Sequence, residues 1–209
     1  MLLLKFLILP AILFYSLNSL AYAPTEGNIT SYFGPYLYKT NFRGSDSGAA
    51  SPVLAGIGLV VNGDVNEKGS LEISLFLMEK NYFREETGKY IETQTTLAHF
   101  TMGYRRWFSE KFSGSLCFAS GYSVGSPRLI HSDFPVGSEI DTSAKDTVEY
   151  GFELALQSEI MKRPTYTILV EARYLMSVTN KANENADHFG LMLGFRYAVQ
   201  ERNPAPKLQ

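Results

Sequence analysis

The sequence predicts an all-β fold, an eight-stranded antiparallel up-and-down β-barrel. Apolar residues alternate with small or polar ones at a period of two along much of the 209-residue chain, and this pattern is typical of strands with two different faces. Several predicted strands have ten or more residues, which is longer than the usual five or six. The predicted connections are long and short by turns, as expected of a meander whose two rims differ.

Composition excludes several classes of protein. Hydrophobic residues make up 45% of the chain and aromatic residues 13%, which is too much for intrinsic disorder. Nineteen basic residues against 21 acidic ones, without a basic cluster, argue against nucleic acid as a partner. Charged residues, at 19%, fall below the roughly 25% of soluble domains. The mean hydropathy of −0.08 is nevertheless far too low for a bundle of membrane helices.

The N-terminal segment predicts a secretory signal peptide. Met1 to Leu20 contains one lysine, an apolar stretch and then small residues, which is the order that such signals follow. Pro10 and several polar residues keep the apolar stretch shorter than a spanning helix needs. A retained N-terminal anchor is the alternative. The predicted domains are the signal peptide (1–23, cut after Ala21 or Ala23), the barrel (24–200) and a short tail (201–209).

Three segments show the alternation most clearly. In 147–157 every even residue is large and apolar. Segments 112–124 and 188–199 repeat the pattern, with a second face made mostly of small residues. The full predicted set of strands is 29–40, 52–62, 70–80, 92–106, 112–124, 147–157, 165–177 and 188–199. The predicted connections are long at 41–51, 81–91, 125–146 and 178–187, and shorter at 63–69, 107–111 and 158–164. Turn residues Asn62-Gly63-Asp64 and Arg163-Pro164 support two of the shorter ones.

Two architectures compete for this pattern. A lipocalin-like secreted barrel places its apolar face inward around a ligand, whereas a membrane barrel places that face outward against lipid. The second face is rich in Gly, Ser and Ala, which gain nothing from exposure to water. Small residues do fit the narrow interior that eight strands enclose. The sequence therefore favours a transmembrane β-barrel.

Charged residues on the small-residue face predict a network inside the barrel. Buried charges must be paired, because an unpaired one costs several kcal/mol. Acids and bases nearly balance on this face, with Lys39 expected near a rim. Cys117 on the same face is expected to pack rather than to react. The predicted lumenal network is Glu72, His99, Arg105, Glu149, Glu153, Glu171, Arg173 and Arg196.

Aromatic residues near the predicted strand ends indicate girdles at the two membrane surfaces. Their rings are amphipathic and suit the headgroup region. Aromatic residues of an ordinary core are the alternative. The predicted girdle contains Trp107, Phe108, Phe112, Tyr122, Tyr166 and Tyr174.

These features together resemble small outer-membrane β-barrel proteins of the OmpA, OmpX and OmpW kind. The most specific element is the segment HFGLMLGF at 188–195, which is similar to the barrel-assembly signal of that class, polar-x-Gly-x-x-Ω-x-Ω. The chain departs from that class by continuing past the strand to Gln209. The matching residues are His188, Gly190, Leu193 and Phe195. The resemblance implies the bacterial outer membrane, with outer-membrane lipid and the barrel-assembly machinery as partners, periplasmic termini and long connections outside the cell.

The expected function is structural or interactive. Loop 125–146 contains both apolar and charged side chains, which makes it a candidate for binding a surface ligand. The alternatives are a small-solute channel, a secreted lipocalin-like barrel that binds a hydrophobic ligand and, least favoured, a lipid-modifying outer-membrane enzyme.

Neither catalysis nor a cofactor is expected. The adjacent residues His131, Ser132 and Asp133 would point in different directions and so cannot form a catalytic relay. His99 beside a glutamate could form an acid/base pair, but a structural network explains the same residues. Three histidines and one cysteine are too widely spaced to predict a metal site.

Overall fold

The computed structural model describes Tyr22, residues 24–41 and residues 49–197. Most of the predicted signal peptide (1–23) and the whole predicted tail (201–209) lie outside these residues. Within the described part of the chain, no helix combines the length and apolarity that a membrane span requires.

Eight long strands close into a ring in which each strand is antiparallel to both neighbours. The ring closes where the first and last strands pair, for example Lys39 with Phe189. The eight-stranded antiparallel prediction is therefore confirmed. The strands of the ring are β1 (Ile29–Thr40), β2 (Leu54–Asn66), β3 (Gly69–Glu86), β4 (Lys89–Trp107), β5 (Phe112–Ser123), β7 (Val148–Lys162), β8 (Tyr166–Ser177) and β10 (His188–Tyr197). The short strands β6 (Arg128–Ser132) and β9 (Glu184–Asn185) and a 3-10 helix (Ser143–Lys145) lie in the connections.

The outer face of the ring is apolar. On β7, Tyr150, Phe152, Leu154 and Leu156 are between 41% and 66% exposed, and the other long strands carry similar outward rows. An exterior of this kind is stable against lipid rather than water. The predicted outward direction of the apolar face is confirmed, and the lipocalin-like alternative, which needs that face inside, is wrong.

The interior is filled by side chains, and it is less polar than expected. β1 turns Tyr32, Tyr36 and Tyr38 inward, where they join Phe76 and other apolar side chains in a buried cluster. Only small and charged residues were expected on the inner face. The aromatic row was missed because β1 also carries apolar residues on its outer face, so the contrast between its two faces is weak.

Glycines make room for these rings. A Cβ atom on Gly190 of β10 would lie 2.3 Å from the Tyr36 hydroxyl oxygen on β1. A Cβ atom on Gly58 would lie 2.4 Å from the ring of Phe76. Both distances are far below van der Waals contact. Gly190 therefore leaves room for Tyr36 across the seam where β10 meets β1, and Gly58 leaves room for Phe76 between β2 and β3.

One predicted long connection, 81–91, is wrong. β3 and β4 continue through this segment and are joined by Thr87 and Gly88, whose φ angles are +51° and +73°. Two successive residues with positive φ are typical of the primed turns that match strand twist. The apolar outward row of β3 ends at Leu77. The segment beyond it contains charged residues, and for this reason the continuation of β3 and β4 was not predicted. β3 and β4 have 18 and 19 residues, whereas a membrane strand needs only about 10. Roughly 8 residues of each strand therefore extend beyond the apolar band.

A second predicted turn is displaced. Asn62-Gly63-Asp64 lies within β2, which continues to Asn66. The turn consists of residues 67 and 68, where the Asn66 side-chain oxygen accepts a hydrogen bond from the Lys68 backbone N–H at 2.9 Å. Arg163 and Pro164 do lie in the turn between β7 and β8.

The long connections form a folded layer at one end of the ring. β6 pairs with the extended part of β4, and β9 pairs with that of β3. Ala144 and Ala186 pack against Tyr82 in a small buried cluster. We call this arrangement, residues 124–147 and 178–187 on the extended hairpin of β3 and β4, the loop layer.

Candidate functional site

Two arginines and three glutamates form a fully buried cluster in the middle of the barrel. Each of these side chains is at most 1% exposed. They come from four strands, so the cluster ties opposite walls of the ring together. We call this set, Glu72, Arg105, Glu153, Glu171 and Arg173, the central cluster.

Arg105 and Arg173 share two carboxylate partners within the central cluster, and Arg173 has a third. Arg105 donates from Nε to Glu72 at 2.5 Å and from Nη2 to Glu171. Arg173 donates from Nε to Glu171 at 2.5 Å, from Nη2 to Glu72 at 2.8 Å and from Nη1 to Glu153. Charge-assisted hydrogen bonds of this kind are about twice as strong as neutral ones.

Neutral groups complete the cluster. The Tyr32 hydroxyl donates to Glu171 at 2.6 Å, and Arg105 donates to the Ser113 hydroxyl at 2.8 Å. The thiol of Cys117 lies 3.6 Å from Glu72 and is buried. The small side chains on β5 leave the space that the arginines occupy.

His99 lies at the edge of the central cluster. Its Nε2 atom is 3.0 Å from Glu153 Oε2. His188 of β10 lies beside it, with the two ring centroids 5.6 Å apart. His99, Glu153 and His188 are the one group of metal-ligand residues found close together in the described chain, with ligand atoms within 4.8 Å of one another.

Glu149 does not join the central cluster. It accepts hydrogen bonds from Lys80 Nζ at 2.6 Å and from the Tyr82 hydroxyl at 2.8 Å, nearer the loop layer. Lys80 was missed, although it has the same parity on β3 as Glu72 and so faces inward. Lys39, which was expected near a rim, lies on the outer side of β1.

A third polar group lies at the end with the short turns. Arg196 donates to Glu159, and its guanidinium lies 4.5 Å from the centre of the Tyr22 ring. The Tyr22 hydroxyl donates to Asp64, and the Tyr22 backbone N–H lies 3.3 Å from Glu159. Glu159 was missed because the predicted strand ended two residues earlier.

Trp107 was wrongly assigned to the aromatic girdle. It is only 4% exposed, donates from Nε1 to the Ser70 hydroxyl at 3.0 Å, and packs against Tyr22 at 4.8 Å between ring centroids. It has the same parity on β4 as the inward-facing Arg105, and this parity outweighs its position beside a turn.

The other girdle residues lie on the outer side. Phe108, Phe112 and Tyr122 are 69%, 44% and 42% exposed. Tyr166 and Tyr174 are partly exposed, and the Tyr174 hydroxyl donates to Asp187 at 2.9 Å. Their position at the two lipid surfaces stays a prediction.

The four residues that match the assembly signal divide between the faces of β10. His188 and Gly190 face the interior, whereas Leu193 and Phe195 are 51% and 38% exposed on the exterior. Recognition of this segment by an assembly machinery stays a prediction.

Ionic contacts hold the loop layer together. Glu184 accepts hydrogen bonds from the backbone N–H groups of Ser143 at 2.8 Å and Lys181 at 2.9 Å. The Lys181 ammonium donates to Asp141 at 3.0 Å. This hydrogen bond holds the pKa of Asp141 below its ordinary value.

Loop 125–146 forms one wall of a groove of about 570 Å³. Its lining includes Ile91 and Thr93 of β4 and apolar loop side chains that are well exposed, among them Leu129 at 60% and Ile130 at 43%. The ring of His131 stacks on Tyr90 at 4.4 Å between centroids. The loop is therefore partly folded against β4 through β6.

The His131-Ser132-Asp133 segment does not form a catalytic relay. His131 Nε2 lies 2.9 Å from Asp133, while the Ser132 hydroxyl accepts from the Phe134 backbone N–H at 3.2 Å. The hydrogen bond from the Tyr90 backbone N–H lowers the pKa of Asp133 most, and the contact with the His131 side chain lowers it further. This pair orders the loop, and the serine lies outside it.

No family model matches the sequence, and no curated protein matches it either. Solved structures do match. The outer membrane protein OprG from Pseudomonas aeruginosa matches with a TM-score of 0.51 and 12% identity, over 83% of this chain and 96% of that one. Ail, the attachment invasion locus protein of Yersinia pestis, matches with a TM-score of 0.49 and 14% identity, over 83% and 99%. Neisserial surface protein A matches with a TM-score of 0.37 and 13% identity, over 82% and 96%. The closed ring, its apolar exterior and the likeness to OprG identify the fold as that of a small outer-membrane β-barrel, as the sequence resemblance implied.

Proposed function

We propose that this protein is a non-conducting barrel of the bacterial outer membrane that interacts with partners through its loop layer. The observation that carries the proposal is the filled interior, in which the buried aromatic cluster of Tyr32, Tyr36 and Phe76 packs against the central cluster. A barrel of eight strands whose lumen is packed with side chains has no path for solutes. The part left for function is therefore the surface beyond the membrane.

The proposed orientation places the loop layer outside the cell and the short turns in the periplasm. An even number of strands brings both chain ends to one side, and Tyr22 and Arg196 lie together at the end with the short turns. Outer-membrane barrels have short periplasmic turns and longer outer loops.

Cysteine labelling in intact cells tests the location and orientation together. In a Cys117→Ser background, Val136→Cys in the loop layer is expected to react with a membrane-impermeant maleimide. The matched variant Ser109→Cys, in a short turn, is expected to react only after the cells are opened. The reverse pattern, or a protein that stays soluble without detergent, would contradict the proposal.

Planar-bilayer recording tests the closed interior. The refolded protein is expected to show no discrete current steps. Arg173→Ala removes a large guanidinium from the middle of the lumen and serves as a comparison in which steps can appear. Steps of constant size in the wild-type protein would favour the small-solute channel instead.

The groove beside loop 125–146 is the proposed contact surface. Isolated exposed apolar residues are common, but a contiguous apolar groove in an ordered loop often marks an interaction site. A photo-crosslinking amino acid at Ile130 is expected to give one discrete adduct on cells, whereas the same group at Glu86, at the hairpin tip, is not. Equal adducts from both positions would argue against a specific surface.

A further inference from the structure

Two histidines and a glutamate from three strands meet inside the barrel. His99 is on β4, Glu153 on β7 and His188 on β10, and they are 2%, 1% and 0% exposed. One ligand atom from each lies within 4.8 Å of the others. Strands that are far apart in the sequence thus bring two imidazoles and a carboxylate to one point.

The hydrogen-bond pattern around His188 is incomplete. Neither of its ring nitrogens has a partner within the described residues, although the side chain is fully buried. The Tyr36 hydroxyl also has none, and its ring lies 6.2 Å from that of His188. A buried polar group left unpaired costs about 1 to 3 kcal/mol. Several such atoms at one place indicate that they face something other than protein.

The charges nearby favour a cation. The central cluster contains three glutamates and two arginines, so its formal charge is −1. Lys80 does not compensate, because it pairs with Glu149. Arg173 binds Oε1 of Glu153, which leaves Oε2 facing His99. The central cluster therefore attracts rather than repels a cation placed beside this oxygen.

We propose that His99, Glu153 and His188 bind a divalent transition-metal ion, with zinc as the best fit. Two imidazole nitrogens and one carboxylate oxygen are a common zinc donor set. Bond lengths of about 2.0 to 2.2 Å place such donors roughly 3.5 Å apart, so ligand atoms that now lie within 4.8 Å of one another would move closer when the ion binds. The Tyr36 hydroxyl or a water would occupy the fourth position. Because the site is enclosed, the metal enters during folding and joins β4, β7 and β10.

Refolding with a spectroscopic metal tests this site. The full chain is refolded from urea into detergent with one equivalent of Co²⁺, and the visible spectrum is recorded after removal of free metal. We expect one bound Co²⁺ per chain with the strong absorption of tetrahedral coordination, and its displacement when Zn²⁺ is present during refolding. Absence of stoichiometric Co²⁺ in the wild-type protein would overturn the proposal.

Histidine variants locate the metal. His188→Gln is expected to lower Co²⁺ affinity at least tenfold, whereas His131→Gln, in the exposed loop, is expected to leave it unchanged. Heat-shifted migration on a gel reports whether each variant has folded. If His188→Gln does not fold, histidine hyperfine shifts in the NMR spectrum of the Co²⁺-loaded wild type decide the question. Binding that survives in folded His188→Gln, that depends on His131, or that shows no histidine ligand would overturn the proposal.

Discussion

Arg105 and Arg173 donate to the same two carboxylates, those of Glu72 and Glu171. Neither guanidinium is accessible to solvent. Glu72 and Glu171 thus each bridge the two guanidiniums and offset the repulsion between them. The pair connects β3, β4 and β8 through the lumen rather than through backbone hydrogen bonds.

Removing one of these arginines is expected to destabilise the barrel strongly. Arg173→Met leaves three buried carboxylates with a single arginine, and breaking a buried ion pair costs about 3 to 5 kcal/mol. Urea unfolding in lipid vesicles measures the loss. Lys145→Met is the control, since Lys145 lies 3.8 Å from Asp141 on the surface and should change the free energy of unfolding by less than about 1 kcal/mol. Similar losses in the two variants would contradict a structural role for the central cluster.

The outward apolar rows predict that tolerance of charge depends on depth. Leu154 lies near the middle of β7 and is 58% exposed, so Leu154→Arg is expected to cost about 2 to 4 kcal/mol in a bilayer. Val65→Arg, near the short-turn end of β2, should cost about 0 to 1 kcal/mol. Unfolding in vesicles of defined composition compares them. An equal cost at both positions would argue against lipid around this face.

Signal-peptide cleavage is expected after Ala21 rather than Ala23. Tyr22 contacts Asp64, Arg196 and Trp107, and all of these contacts would be lost if cleavage removed it. Cleavage after Ala21 also converts the Tyr22 backbone N–H, 3.3 Å from Glu159, into a charged amine. Intact mass and N-terminal sequencing of the exported protein identify the first residue. A mature chain that begins at Pro24 would refute this expectation.

Acid is expected to loosen the loop layer. Since Lys181 lowers the pKa of Asp141, this contact contributes stability above the ordinary pKa of the carboxyl and loses it as pH falls through the lowered value. Carboxyl NMR in micelles follows the titration of Asp141. Lys181→Met should raise its pKa toward the ordinary value, and Lys145→Met should raise it less, because Lys145 lies farther away and stays exposed. An unchanged Asp141 titration in Lys181→Met would exclude the contact in solution.

The sequence predicted the ring of strands and most inward charges because parity alone decides which side of a strand a residue faces. Glu72, Arg105 and Arg173 follow from that rule. Lys80 and Glu159 obey it too, but Lys80 is the last residue of the predicted strand 70–80 and was not assigned to the interior, and Glu159 lies two residues beyond the predicted end of its strand. Trp107 was assigned by its nearness to a turn, although its parity indicated the interior.

Contacts across the lumen could not be predicted. The meeting of His99 with His188 depends on the registers of every strand between them and on closure of β10 against β1. Strand register is set by pairings that leave little trace in a single sequence. The folded state of loop 125–146 was hidden for a similar reason, since its pairing with β4 needs the extension of that strand.

The central cluster also makes the stability of the barrel depend on the correct register of several strands. A strand that slipped by one residue would turn its inward charge toward lipid and leave the partners across the lumen unmatched. Glu72, Arg105, Glu153 and Arg173 belong to four different strands, so an error in any of these strands disturbs the same cluster. A slip of two residues keeps the apolar row of a strand outward, so the exterior alone does not distinguish such registers, whereas the buried charges select the one in which all their partners meet.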